Sequence, residues 1–260
     1  MTFNKYTKTA IRAAKKAGEV LLKYYKTNLK VDYKGIINPV TEADRSSQRA
    51  IIELIRKEFP GHTFVGEEDE KKHVCDEYCW IIDPLDGTVN FIHHIPLFSI
   101  SIGLSHNGKI IAGVVYAPFL GEMYVAEKGK GAFVNGKRIK VSNINRMVRS
   151  VVITGFSYDI HKDTENVLKR LGRILKSVEG VRRLGSAAID LAYVACGRAE
   201  AFWEEGLCPW DVAAGSLLVE EAGGKVTDFD NGDNYIYGRS LVATNGIVHK
   251  HVIGLLKKGE

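Results

Sequence analysis

The chain has no apolar stretch approaching the roughly eighteen uninterrupted residues that a bilayer-spanning helix needs, so no membrane span is predicted. It also lacks an apolar signal core behind its N-terminal charges, and the cytoplasm is the expected compartment. Lys and Arg number 36 against 31 Asp and Glu, a net charge of +5, but the positive residues are spread along the chain without a dense block. No helix-turn-helix, zinc-finger or RNA-binding signature accompanies them, so nucleic acid is not an expected partner. Cysteine is scarce, at four residues. Cys75 and Cys79 lie near His73, yet their spacing is not C-x2-C and no fourth ligand is apparent, which argues against zinc. Whether the two are paired stays open; an intracellular disulfide would suit a hyperthermophile. Cys196 and Cys208 read as buried small apolar residues. No repeat or low-complexity linker divides the chain.

What is present is a core. With 45% hydrophobic residues in 260, the chain can bury enough surface for one large or two medium domains. The most informative stretch is Trp80-Ile81-Ile82-Asp83-Pro84-Leu85-Asp86-Gly87-Thr88, an apolar strand running into two carboxylates spaced three apart and then a Gly-Thr turn. Pro84 stiffens the strand exit and the turn brings Asp86 back towards Asp83, so two hard oxygen ligands converge. The Leu85 carbonyl between them is a candidate third. Such oxygens suit Mg²⁺, which keeps positions open for substrate phosphate. Gly87 permits close backbone approach, and a helix opening at Thr88 would offer N–H donors to an anion.

Elsewhere, His62 to Asp69 is a short β-type run ending in an acidic cluster that includes Glu67. Trp210-Asp211-Val212-Ala213-Ala214-Gly215 begins an apolar helix with Asp211 at its mouth, where it fits an N-cap as well as a metal ligand. Thr41-x-x-Asp44 opens another helix as a capping box. Gly185-Ser186-Ala187 precedes a helix apolar on nearly all sides, and these small residues leave room for a ligand's hydroxyls. Arg182 and Arg183, just upstream, are candidates for contact with hydroxyls, a second phosphate or a neighbouring subunit; Arg182 is the favoured one. Glu204 reads on its own as a solvated residue at a strand end. No C-x5-R loop is present to activate a thiolate, so no covalent phosphoenzyme is foreseen.

Together these segments resemble the inositol monophosphatase family of the Mg²⁺-dependent, lithium-sensitive phosphatase superfamily, nearly end to end. The resemblance rests on two signatures in order, Glu67 with Trp80 to Phe91, and Pro209 to Gly224. Pro39 to Asp44, the Gly131 to Gly136 hairpin and Arg182 to Ala188 support it. It implies Glu67, Asp83, Asp86, Asp211 and the Leu85 carbonyl as metal ligands for about two or three Mg²⁺ ions, the second of which would stabilise the leaving alkoxide. It also implies that Glu67 and Thr88 orient an attacking water, with Asp44 accepting a hydrogen bond from Thr88. Gly87 and Thr88 would hold phosphate, and Glu204 matches the position that binds inositol hydroxyls. The implied substrate is a small phosphate monoester, foremost inositol 1-phosphate. Fructose 1,6-bisphosphate is the alternative, followed by adenosine 3′,5′-bisphosphate and, last, a non-enzymatic regulatory homologue. The implied assembly is a homodimer or tetramer.

The pattern of alternating strands and helices predicts an α+β or α/β fold of two packed subdomains, and the resemblance implies that it is a layered α-β-α-β-α sandwich. An N-terminal subdomain, residues 1–149, would carry most metal ligands, and residues 150–260 would carry Asp211 and the substrate-binding residues. Helices are expected over Asn4–Thr27, from Thr41 to a stop at Phe59-Pro60-Gly61, and over Asn166–Val178, Ala187–Cys196 and Val212–Ala222, with one more at the C-terminus. Strands are expected over Tyr78–Ile82, Phe98–Ser105, Lys109–Ala117, Glu122–Ala126, Ala132–Val134, Val151–Thr154, Glu200–Trp203, Lys225–Asp228 and Ser240–Thr244. Asn107-Gly108 and Asn135-Gly136 supply hairpin turns. Lys30 to Pro39, carrying Lys30, Lys34 and Gly35, reads as an irregular polar segment that the family uses as a mobile active-site loop.

Overall fold

The computed structural model describes residues 2–25, 27, 31–33, 39–68, 75–158 and 160–257. Lys30, Lys34, Gly35, Asp69 and His73 lie outside them. The chain opens with α1 (Lys5–Tyr24), whose first turn is capped by the Asn4 side chain accepting from the Thr7 N–H at 2.8 Å. Val31–Tyr33 (β1) and Pro39–Thr41 (β2) then pair antiparallel, so part of the segment read as irregular is a short ribbon. Thr41 starts α2 (Glu42–Glu58) with the expected capping box, Asp44 closing it as the third helical residue.

A seven-stranded sheet follows, built from β3 (Thr63–Gly66), β4 (Tyr78–Asp86), β5 (Ser99–His106), β6 (Lys109–Ala117), β7 (Glu122–Glu127), β8 (Gly131–Val134) and β9 (Lys137–Arg138), in chain order across the sheet. Only β3 and β4 are parallel; the rest are antiparallel, β4 and β5 joined through a short helix and the later strands by tight turns. The Asn-Gly turns hold the left-handed backbone they were read for, with φ of 50° and 77° at Asn107-Gly108 and 48° and 78° at Asn135-Gly136. A five-residue helix, α3 (Thr88–Ile92), leaves the end of β4.

The second sheet contains β10 (Val151–Thr154), β11 (Gly180–Arg182), β12 (Ala201–Glu205), β13 (Lys225–Thr227) and β14 (Ser240–Thr244), in the order β11-β10-β12-β14-β13. Helices α4 (Thr164–Leu175), α5 (Ala187–Ala195), α6 (Pro209–Glu221) and α7 (His249–Lys257) complete the chain. The alternation of side chains along a strand assigns the layers. On the second sheet Ile153, Phe202, Leu241 and Ala243 face α5 and α6. Their neighbours Val152, Ala201, Trp203 and Val242 face α4 and α7. On the first sheet Ile82, Ile100, Ile102 and Val114 pack under α1 and α2. The result is the expected α-β-α-β-α sandwich, with α5 and α6 as its middle layer.

That middle layer seats closely on the first sheet because two strand positions lack side chains. A Cβ at Gly113 would stand 2.7 Å from the Ala214 carbonyl oxygen, and one at Gly103 would stand 3.0 Å from the Ala213 Cβ. Cys75 and Cys79 are joined by a disulfide, which settles the open pairing and leaves neither thiolate for zinc. Both sulfur-bearing residues pack with Trp210 and Ala213 of α6. Cys196 and Cys208 are not in a disulfide and are only half-buried, not buried as expected. Cys196 caps the end of α5, and Cys208 precedes Pro209 at the start of α6, so each lies at a helix end rather than inside the core. No helix among the described residues is long and apolar enough to cross a membrane.

Candidate active site

The site is organised by an irregularity in β4. Asp83 pairs with Ser101 and Asp86 with Ser99, so three steps along β4 match two along β5. In a regular strand, residues three apart point to opposite faces; the extra residue at Pro84-Leu85 brings Asp83 and Asp86 onto the same face. The strand therefore runs on through Asp86 rather than stopping at Ile82. The face is the one that carries α6, since Ser101 Oγ donates to the Trp210 carbonyl at 2.9 Å. Asp211 follows directly.

Asp211 is not the N-cap that its position at the helix mouth suggested. Cys208 occupies that place, Pro209 takes the first helical position, and Asp211 is the third residue, its Oδ2 accepting the Cys208 N–H at 2.6 Å. Glu67 arrives from the other side. Gly66 pairs with Ile82 in the parallel β3–β4 ladder, and the Glu67 N–H donates to the Ile82 carbonyl at 3.2 Å, which sets Glu67 beside Asp83.

Asp83 is 1% exposed. Burial first, then the charges of Glu67, Asp86 and Asp211, push its carboxyl well above the usual carboxylate range. Asp211 is raised in the same way, by its surroundings and then by Asp86 and Glu67. Asp86 is raised by burial although it accepts from Ser186 Oγ at 2.5 Å and from the Ala188 N–H at 2.8 Å. Those two bonds tie β4 to the first turn of α5, so Asp86 joins the sheet to the helix that begins with Ser186. Mutual repulsion among buried carboxylates is relieved by a bound cation. The available donors are carboxylate and carbonyl oxygens, the set a hard divalent cation prefers. As they stand, no three acidic, His or Cys side chains among the described residues are drawn together tightly enough to hold an ion. Each Asp keeps at least one oxygen in a protein hydrogen bond, Asp83 to the Leu85 N–H at 3.0 Å.

Gly87 turns the chain out of β4 with φ of 90°, a conformation that favours glycine, and a Cβ there would meet the carbonyls of Gly185 and Leu97 at 3.0 Å. Thr88, buried, opens α3. Its hydroxyl lies 3.2 Å from Asp44 Oδ1 and 3.0 Å from the Leu85 carbonyl. Asp44 Oδ2 accepts from the Thr41 N–H at 2.7 Å and Thr41 Oγ1 at 2.6 Å. Burial outweighs these bonds and lifts its carboxyl to about 6. Ser47 Oγ, donating to the Pro84 carbonyl at 2.7 Å, fastens α2 over the bulge.

The substrate-side residues divide. Ser186 caps α5, and Gly185, Ser186 and Ala187 stand against Gly87 and Asp86. Glu204 is 8% exposed rather than solvated. Burial lifts it to about 8, with Arg183 opposing the rise. Arg182 points elsewhere: it is exposed at the end of the edge strand β11, its guanidinium donating to the Val181 carbonyl at 3.0 Å. Arg183 is exposed as well, but its guanidinium lies over Gly185. Two groups escaped the sequence reading. Tyr158 stands near the acidic cluster, and burial first, then the charges of Glu67, Asp86, Asp83 and Asp211, push its phenol up. Asp190 is buried beside Glu204. Nothing local marks Tyr158; Asp190 is visible as the lone acid in an apolar helix.

A five-layer sandwich with a buried acidic cluster at the edge between β4 and α6 is the architecture of the inositol monophosphatases. The chain matches that family over residues 3–259 and belongs to it. It is 43% identical over 251 residues to the inositol-1-monophosphatase of Mesorhizobium japonicum, covering 95% of this chain and 94% of that protein. It is 40% identical over 251 residues to the Nus factor SuhB of Escherichia coli K12, again covering 95% and 94%. Among solved structures, the extragenic suppressor protein suhB of Bartonella henselae superposes with a TM-score of 0.94 at 40% identity, covering 99% of this chain and 100% of that one. An IMPase of Thermotoga maritima gives a TM-score of 0.90 at 38% identity, covering 98% of each.

Proposed function

We propose that the protein is a Mg²⁺-dependent phosphate monoester hydrolase, with inositol 1-phosphate as its foremost substrate. The observation that carries this reading is the bulge in β4, which turns Asp83 and Asp86 to one face beside Glu67 and Asp211. Those four carboxylates and the Leu85 carbonyl would hold the metal. Bound there, Mg²⁺ would neutralise phosphate charge and make a coordinated water acidic near pH 7.

The chain's own groups account for orientation. With its proton directed to Asp44, the Thr88 hydroxyl turns a lone pair outwards to accept from the attacking water, and Glu67 takes the other side of that water. Gly87 and Thr88 offer backbone N–H donors to the phosphate. Glu204, Ser186 and Arg183 meet the hydroxyls of the leaving alcohol. Fructose 1,6-bisphosphate is the second candidate substrate, favoured by Arg183, whose guanidinium would suit a second phosphate. The resemblance to proteins named Nus factor SuhB supports a transcription-linked role as a separate reading, one that does not require the acidic cluster.

The test is phosphate release with Mg²⁺ on inositol 1-phosphate, fructose 1,6-bisphosphate, histidinol phosphate and adenosine 3′,5′-bisphosphate. Fastest turnover of inositol 1-phosphate supports the reading. No release from any of them, with the metal present, would sink it and leave the transcription role standing.

A further inference from the structure

Asp190 is the only charged residue of α5, whose other positions are Ala, Ile, Leu, Tyr and Val. It is 1% exposed, and its Oδ1 has no hydrogen-bond partner. A carboxyl in such a place is destabilising relative to a leucine, which would pack there without a polar atom to satisfy. Capping gives no reason for it: Ser186 already caps the helix, and the first N–H groups, of Ala187 and Ala188, go to Asp86. Residues that lower stability without local recompense mark functional positions.

Position supplies the reason. Asp190 stands one turn after Ser186, hence on the same face of α5, and Ser186 Oγ faces Asp86. Glu204 of β12 and Asp86 of β4 are close enough for their charges to bear on Asp190, and Arg183 offsets them from the side of Gly185. The Glu204 carboxylate in turn lies against Gly155, where a Cβ would collide with it. Glu204 thus lies against Gly155 and within electrostatic reach of Asp190, and the charge of Arg183 acts on both carboxyls.

We propose that Asp190 is a specificity-determining positioning residue, set behind Glu204, that fixes Glu204 and Arg183 in the arrangement which receives the hydroxyls of a polyol phosphate. The proposal rests on the phosphatase reading and deepens it, since it assigns discrimination of the leaving alcohol to a group apart from the metal-binding carboxylates. A carboxyl accepts through its oxygens and, when protonated, also donates, and burial favours the protonated form of both Asp190 and Glu204. Vicinal hydroxyls, each donor and acceptor, need both.

The test compares inositol 1-phosphate with p-nitrophenyl phosphate, whose leaving group has no aliphatic hydroxyls, in Asp190→Leu, Asp190→Ala and Asp190→Asn. For the Leu and Ala variants KM for inositol 1-phosphate should rise by about tenfold while kcat stays within about twofold and both constants for p-nitrophenyl phosphate hold. Asp190→Asn, which keeps a donor and an acceptor, should restore KM to within about threefold of the parent. Parallel losses on both substrates, or selectivity unchanged in whichever of the two truncated variants folds, would overturn the proposal. The parent enzyme's rate on p-nitrophenyl phosphate reports on the phosphatase reading separately.

Discussion

The Thr88 hydroxyl sits 3.2 Å from Asp44 Oδ1 and 3.0 Å from the Leu85 carbonyl, and it has one proton to give. A cation on the Leu85 oxygen, as proposed, would leave Asp44 as the acceptor. Thr88→Ala should therefore lower kcat by roughly 10²–10⁴, the range for positioned acid–base groups, with a smaller change in KM. Steady-state kinetics at saturating Mg²⁺ decide it; an unaltered kcat removes Thr88 from the mechanism.

Asp86 and Asp211 carry both a structural bond and a share of the acidic cluster. Asp86→Asn and Asp211→Asn should each keep a stable fold, since an amide oxygen still accepts from the Ala188 or Cys208 N–H. Each should need several-fold more Mg²⁺ for half-maximal activity, because a ligand charge is gone. Metal titrations showing parental Mg²⁺ dependence in both variants would refute the ligand assignment.

Arg182 and Arg183 adjoin in sequence but separate in space, one on the exposed edge strand and one over Gly185. Arg183→Ala should raise KM for fructose 1,6-bisphosphate by about tenfold, the loss of one charge-assisted hydrogen bond, and raise that for inositol 1-phosphate less. Arg182→Ala should leave both within about twofold. The reverse ranking would return the second-phosphate role to Arg182.

His249 bridges the hydroxyls of Thr227 and Thr244 at 3.0 Å each, and burial pushes its imidazole from the usual 6.5 down to about 4. Its folded pKa is depressed, so the unfolded chain binds the extra proton between these values. Stability from this site is present above pH 6.5 and is lost as pH falls towards 4. The loss is at most about 3 kcal/mol. Denaturant unfolding across that window should show a shallower pH slope in His249→Gln than in the parent; identical slopes would exclude it.

How legible these features were depended on the range of the interactions. Strands Lys109–Ala117, Val151–Thr154 and Ser240–Thr244 follow from alternation and turn residues, both local. The continuation of β4 past Pro84 was hidden because proline reads as a strand end, whereas here a bulge absorbs it. Edge strand β11 is three residues long, too short to show a period. Asp211 drew an N-cap reading from its residue type, though Pro209 two residues earlier marks the first helical position. The acidic set itself was readable through family signatures. The nearness of Asp190 to Glu204 and the placement of the Arg183 guanidinium over Gly185 depend on the folded chain and are encoded by no spacing rule.

The middle layer has a topological consequence. α5 and α6 bury one side on each sheet, and Gly103 and Gly113 leave no room for a separate lining between α6 and the strands. A chain severed near residue 150 would strand the first sheet with one bare apolar face and the later segment with helices lacking a floor. Such fragments should recover a folded assembly only by complementation, when both pieces are present together. Because the proposed metal-binding oxygens come from both sides of that cut, restored phosphatase activity would report reassociation directly.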